Sequence, residues 1–310
     1  MTKPKKQHYV PQFLLRNFSI GRKEKAKVWV LDKRKGKVFF SSVRDIGHEN
    51  QFYEYHGDNG TFELEDLMGK LDTKGADIIA RITEKKHLPE AGEGRAWLSY
   101  VIAAQMLRTP TTRNDMENFR QMVIQKWGEN IRFNDDDRAV GEYGPEDAKA
   151  NSLQMLIKDV PNFAKMLQEK EWCLSEAPPS APFIISDNPV TRHNMIDRGL
   201  RGNLGLKNDG IEIYLPLSPK LSLHLMCPKL SLAVLRTPDL AVPYSRSLIE
   251  GTPVPVKPVN VEFANSLQVI WAERFVYARE REHLEMPLDM LRTNPDLKEG
   301  PGVRQKPGEV

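Results

Sequence analysis

Apolar positions along this chain change their period twice. Lys27–Asp32 and residues 37–43 alternate apolar and polar around Lys33-Arg34-Lys35-Gly36. That pattern predicts a β-hairpin with Gly36 in the left-handed region. From Glu63 the spacing turns helical, with Leu64, Leu67, Met68, Leu71, Ile78, Ile79 and Ile82 on one stripe. A second helix is expected over 94–108, ended by Thr109-Pro110, and Thr111-Thr112 can cap a third running to Trp127. Residues 134–144 are acidic and glycine-punctuated, hence a loop. Pro145 then opens a fourth helix over 148–170, broken at Pro161. Beyond Glu171 strands return: Trp172-Cys173-Leu174 and Phe183-Ile184-Ile185 read as buried, and 211–217 with Leu221–Met226 form a second hairpin around Ser218-Pro219-Lys220. A closing helix is predicted over 259–279, with Phe263, Leu267, Ile270, Trp271, Phe275 and Val276 on its apolar face.

Helices and strands are segregated and no internal repeat is visible, so the fold class is α+β. The expected architecture is an N-terminal β-hairpin, a central helical bundle, and a C-terminal antiparallel sheet with a closing helix. One domain is expected over 1–285, comprising the opening motif and hairpin (1–62), the helical region (63–170), and the sheet with its final helix (171–285). The segment 293–310, rich in Pro, Gly and charge, reads as a disordered tail.

Composition narrows the class. Among 310 residues 40% are apolar and 28% charged, as in soluble globular proteins. No stretch approaches the ~18 consecutive apolar residues of a membrane span, and the basic start lacks the apolar core of a secretory signal. Two cysteines, Cys173 and Cys227, stand in apolar strand-like contexts and suit a reduced, cytoplasmic protein. Without CxxC spacing they cannot form a tetrahedral zinc site. The net charge of +3 hides a local balance of +10 over residues 1–37. Such asymmetry marks either a nucleic-acid- or nucleotide-facing end, or a solvated hairpin whose lysines shield an edge strand.

The opening segment carries the densest candidate chemistry. His8, Gln12 and Arg16 are four apart, so on a helix they share one face, and Asn17 follows. Asp187 ends a buried run as part of Ser186-Asp187-Asn188-Pro189, where a general base or metal-binding carboxylate can sit; an Asx turn is the structural alternative. Arg108 and Arg113 flank a helix break and can hold a phosphate or carboxylate, or else pair with Asp115 or Glu117. Gln105 lies on the buried face of its helix and needs partners. Glu63, Glu65 and Asp66 suit a helix start on dipole grounds alone. His48-Glu49 is a weak acid/base pair in a loop. Gly199, Gly202 and Gly205 match no nucleotide fingerprint and read as a surface loop. Ser186 and Cys227 lack a base, which disfavours nucleophilic catalysis.

Taken in order, His8-Tyr9-Val10-Pro11-Gln12-Phe13, Leu15-Arg16-Asn17-Phe18, Phe52-Tyr53, Arg108-Thr109-Pro110, Ser186-Asp187-Asn188-Pro189 and Leu215-Pro216-Leu217-Ser218-Pro219 resemble a bacterial family catalogued as domain of unknown function 4238. A helix over 265–274 completes the resemblance. It implies no activity; it implies that His8, Gln12, Arg16, Asn17, Arg108, Asp187 and Asn188 belong together and converge in space.

Two functional expectations follow. In the first, the protein is a phosphodiester- or nucleotide-directed hydrolase. His8 and Asp187 are its catalytic pair, and Gln12, Arg16, Asn17, Arg108, Arg113 and Asn188 bind substrate. A divalent cation is the candidate cofactor, with its ligands unassigned apart from Asp187. In the second, the protein is a non-catalytic binding or regulatory module. The same residues are then internal struts, with Arg16 paired to Asp187 and His8 and Gln12 satisfying buried carbonyls.

Overall fold

The computed structural model describes residues 6–57, 60–132, 138–196 and 204–301. In chain order its elements are β1 (Lys6–His8), α1 (Gln12–Asn17), β2 (Lys27–Asp32), β3 (Lys37–Ser42), β4 (His48–Asn50), β5 (Glu54–Gly57), β6 (Gly60–Glu63), α2 (Glu65–Lys85), α3 (Glu93–Leu107), α4 (Pro110–Trp127), α5 (Pro145–Lys158) and α6 (Val160–Gln168). There follow β7 (Glu171–Glu176), β8 (Ile185–Ser186), β9 (Thr191–Asn194), β10 (Ile211–Ser218), β11 (Leu221–Met226), α7 (Pro228–Leu235), α8 (Pro238–Glu250), β12 (Pro253–Pro255), α9 (Pro258–Trp271), β13 (Phe275–Ala278) and α10 (Glu285–Thr293). Proline sits at the first position of α4, α5, α7, α8 and α9, where its missing N–H costs no helical bond. The α+β class holds, and both hairpins form at their expected strands, with Gly36 at φ +61°.

Two main sheets carry the topology. One has the order β12-β7-β11-β10-β9, antiparallel except for the β12–β7 pair, and the other is β3-β2-β13-β8. The first hairpin is therefore completed by the far end of the chain, because β13 pairs antiparallel with β2 and with β8. This corrects the expected closing helix, which stops at Trp271 instead of running to 279. The reason is tertiary. The buried Lys33 donates from Nζ to the Val269 and Ala272 carbonyls at 2.9 and 2.7 Å, ending α9 with a cation at its negative pole. The chain then turns extended, and Phe275-Val276-Tyr277-Ala278 suits a central strand.

Other differences are local. Thr109, not Thr111-Thr112, caps α4, accepting from the Thr112 N–H. His48-Glu49 is strand, not loop. Pro161 stands in the first turn of α6, so the break falls at Asp159. The helices α7, α8 and α10 are not among the expected elements, although Leu284, Leu288 and Leu291 repeat at helical spacing and pack in one cluster. The expected tail is ordered through residue 301, since Leu297 is buried beside Leu284 and Leu291; residues 302–310 lie outside the described residues, as do Gly199 and Gly202. One apolar cluster runs from Tyr9, Val10, Leu14 and Leu15 through the inner faces of α2, α3 and α6 to β10, β11 and Tyr277, so the opening segment is core-bound from its first turn. Both cysteines are buried and unpaired. Among the described residues no helix is long and apolar enough to cross a membrane.

Candidate functional site

The opening motif is pinned before its side chains do anything. β1 pairs with β4, setting His8 opposite His48. The amides of Tyr9 and Val10 both donate to the Gly47 carbonyl, at 3.0 and 3.1 Å. Gly47 itself has φ +63°, and a Cβ there would meet Val10 and Leu15 at 3.2 Å, so the bend needs glycine. The side chain of buried Gln7 holds the Tyr53 amide and reaches Glu54, while the Tyr53 hydroxyl donates to the His8 carbonyl at 2.9 Å. From the other side, Gln105 donates to the Tyr9 carbonyl and accepts from Arg108 Nε. Gln105 thus has the partners that its burial demands.

These constraints leave a pocket of about 340 Å³ beneath α1 and against α2. Its polar lining is His8, Gln12, Arg16, Tyr53, Glu65, Asp72 and Thr73. Gln12 approaches His8 Nδ1 at 3.4 Å and accepts from Arg16 at 2.7 Å; the four-residue spacing sets Gln12 and Arg16 on one face of α1, while His8 reaches them from β1 and not from a shared helix. Which ring nitrogen carries the proton depends on the tautomer, and the neutral ring keeps one lone pair. The imidazole pKa is held down to about 4, first by burial and then by His48, Arg16 and Lys6, while a backbone contact at Val43 opposes this. His8 Nε2 and Glu65 Oε2 are buried without a hydrogen bond among the described residues. Burial, followed by Asp72 and Glu54, raises the Glu65 carboxyl above its usual range. Behind the pocket, buried Arg108 holds the Asp72 carboxylate at 2.7 Å. Glu65, Asp72 and Tyr53 are the residues that sequence reasoning did not assign here; only the i, i+7 spacing of Glu65 and Asp72 hinted at a shared helix face.

The remaining sequence candidates go elsewhere. Asp187 is enclosed, and its two oxygens accept the backbone N–H groups of Glu273, Arg274 and Phe275, each at 2.8 Å. Burial pushes its pKa up to about 6 against the pull of those amides. It lines no part of the His8 pocket, which corrects the expected His8–Asp187 pair. The Arg16–Asp187 pairing of the strut alternative is corrected too, because Arg16 bonds Gln12 and not Asp187. Asn188 donates to Thr111 Oγ1 and to the Trp271 carbonyl, and Asn17 to the Leu217 carbonyl. Arg113 meets Glu49 in a two-pronged pair at 3.0 and 2.8 Å, over the Phe52 ring. Among the described residues no three His, Cys, Asp or Glu side chains gather to hold a metal ion, and Asp187 has no free face to offer one. Of the basic end, Lys33 is buried and Arg34 pairs with Glu273, so both serve the fold.

The segments of the opening resemblance do converge, but in two places. His8, Gln12 and Arg16 meet Asp72 and, behind it, Arg108. Thr111, Asp187, Asn188 and Glu273 meet as a buried clamp. No curated protein matches the chain, and no solved structure does. A family model described as "Protein of unknown function (DUF4238)" matches residues 6–282, and the chain belongs to that family.

Proposed function

We propose that the pocket under the opening motif is an acid–base site that hydrolyses a phosphodiester or nucleotide phosphoester, with His8 as base and Glu65 as acid. The carrying observation is that one pocket gathers His8, Gln12, Arg16 and Glu65, with His8 held neutral first by burial and further by the nearby charges of Arg16 and Lys6. An anion seated between Arg16 and His8 offsets that field and raises the imidazole toward the working pH, where proton transfer is most effective. A carboxyl raised by burial can return a proton to the leaving oxygen, as Glu65 would here. Gln12 orients both His8 and Arg16, and the Arg16 guanidinium supplies a planar set of donors for phosphate oxygens. Asp187, Asn188 and Asn17 have no part in this chemistry.

The test is hydrolysis of bis(p-nitrophenyl) phosphate, with p-nitrophenyl acetate as a carboxylic-ester control. Turnover of the diester is expected, falling ~10²- to 10⁴-fold in His8→Asn. Diester turnover absent from the folded protein, or unchanged in His8→Asn, overturns the reading. A non-catalytic role fits one observation, the full engagement of Asp187, Asn188 and Asn17 in backbone hydrogen bonds, and that role extends only to those residues.

A further inference from the structure

A larger cavity, about 630 Å³, opens between α4 and α5 and reaches Phe163 on α6 and Arg192 on β9. It shares no lining residue with the His8 pocket. Its walls are chiefly apolar, with Met106, Met116, Val140, Met155 and Phe163 among them, and its size falls within the range that holds small ligands. Two of its charged pairs are closed: Glu117 with Arg120 at 2.6 Å, and Asp147 with Arg138 at 2.8 Å. Two opposite charges are not. The Asp115 carboxylate makes no hydrogen bond and no ion pair among the described residues. Arg192 stacks on the Trp271 ring at 4.8 Å and gives one N–H to the Leu204 carbonyl at 3.2 Å, its one hydrogen bond among the described residues. Asp115 and Arg192 attract each other, yet they do not close as a pair. Burial pushes Asp115 up to about 6 and lowers Arg192, and the charge of each opposes the other's shift without closing the gap between them.

We infer that this cavity binds an apolar α-amino acid, its ammonium on Asp115, its carboxylate on Arg192 and its side chain among the methionines and Phe163. The charge pattern selects this class. A purely apolar guest leaves both charges desolvated and unmatched, which is costly. A simple anion meets Arg192 but repels Asp115, and a simple cation does the reverse. A zwitterion answers both at once, and the planar guanidinium suits a carboxylate. The apolar wall then rewards a branched, thioether or aromatic side chain.

The experiment is titration calorimetry of the full chain with L-leucine, L-methionine and L-phenylalanine. Glycine, phenethylamine and 3-phenylpropionate serve as probes lacking the side chain, the acid or the amine. At least one of the three amino acids should bind, and each deletion probe should bind roughly tenfold or more weakly. Asp115→Asn, on the open face of α4, should weaken the amino acid by a similar factor. Arg192→Lys keeps the charge, loses the fork, and should weaken it less. Circular dichroism confirms that each variant is folded. Three outcomes overturn the inference: no binding of any of the three by the folded wild type, phenethylamine or 3-phenylpropionate binding as tightly as phenylalanine, or undiminished affinity in folded Asp115→Asn.

Discussion

Asp187 and His8 each stand in a polar cluster drawn from distant parts of the chain, and the clusters differ in what they leave over. Around Asp187, two oxygens take three backbone amides and Asn188 binds Thr111 and the end of α9. Glu273 next door accepts from Thr111, Asn114 and Arg34. That cluster closes on itself and fixes the turn from α9 into β13. Around His8, Gln12 and Arg16 bind each other, but imidazole Nε2 and Glu65 Oε2 remain without hydrogen bonds and a pocket lies against them. Residue type does not distinguish the two clusters; the count of partners does. A closed cluster stabilises, and an open one keeps groups available for a ligand.

The largest expected effect lies in the closed part. Asp187→Ala should cost at least ~3–5 kcal/mol in denaturant unfolding, since it strands three buried amides that now bind a carboxylate. A loss below ~1 kcal/mol would break the contrast. Arg108→Met should be nearly as severe, because it leaves Asp72 without its buried partner and Gln105 without its donor, and ~3–5 kcal/mol is usual for breaking such a pair. Arg108 stands behind the His8 pocket, so pocket chemistry and melting temperature should fall together. Arg16→Met comes next: diester KM should rise with little change in stability, since the Arg16 side chain is exposed and, among the described residues, bonds only Gln12.

The smallest effect is a pH slope. Native His8 titrates near 4 and the unfolded residue near 6.5, so the unfolded chain binds the extra proton between those values. Stability from this group is complete above pH 6.5 and is lost as pH falls toward 4. Asp187 is raised from 3.8 to about 6 and contributes the opposite slope over much of that window. The informative quantity is therefore the difference between wild type and His8→Asn. Thermal midpoints, close together at pH 7, should separate on acidification toward pH 4, wild type falling faster than His8→Asn, and parallel curves would refute the depressed histidine.

Much of the scaffold was legible in sequence because it rests on local period. The hairpins β2–β3 and β10–β11 and the helices α2 to α6 follow alternation, stripes and proline starts. The conversion of residues 275–278 from helix to strand was not legible. It depends on Lys33 and Asp187, which lie 236 and 86 residues from the groups they bind at the end of α9. Lys33 itself looked like one lysine of a solvated run, and nothing local marks it as the buried one. The candidate site was half legible: the four-residue spacing put Gln12 and Arg16 on one face of α1, but His8 in β1 and Glu65 and Asp72 on α2 reach that face only through tertiary packing. Asp187 misled for a physical reason. A strand-end carboxylate looks the same whether it faces a cleft or a ring of backbone amides.

The contrast between the two clusters is tested most directly by thermal unfolding of His8→Asn and Asp187→Asn side by side at pH 7. The account predicts that His8→Asn melts within the ~0.5 kcal/mol scatter of an uncoupled substitution. Asp187→Asn, which trades an acceptor for a donor facing three amides, should lose ~2–4 kcal/mol and melt several degrees lower. Equal losses, or a greater loss at His8, would contradict it.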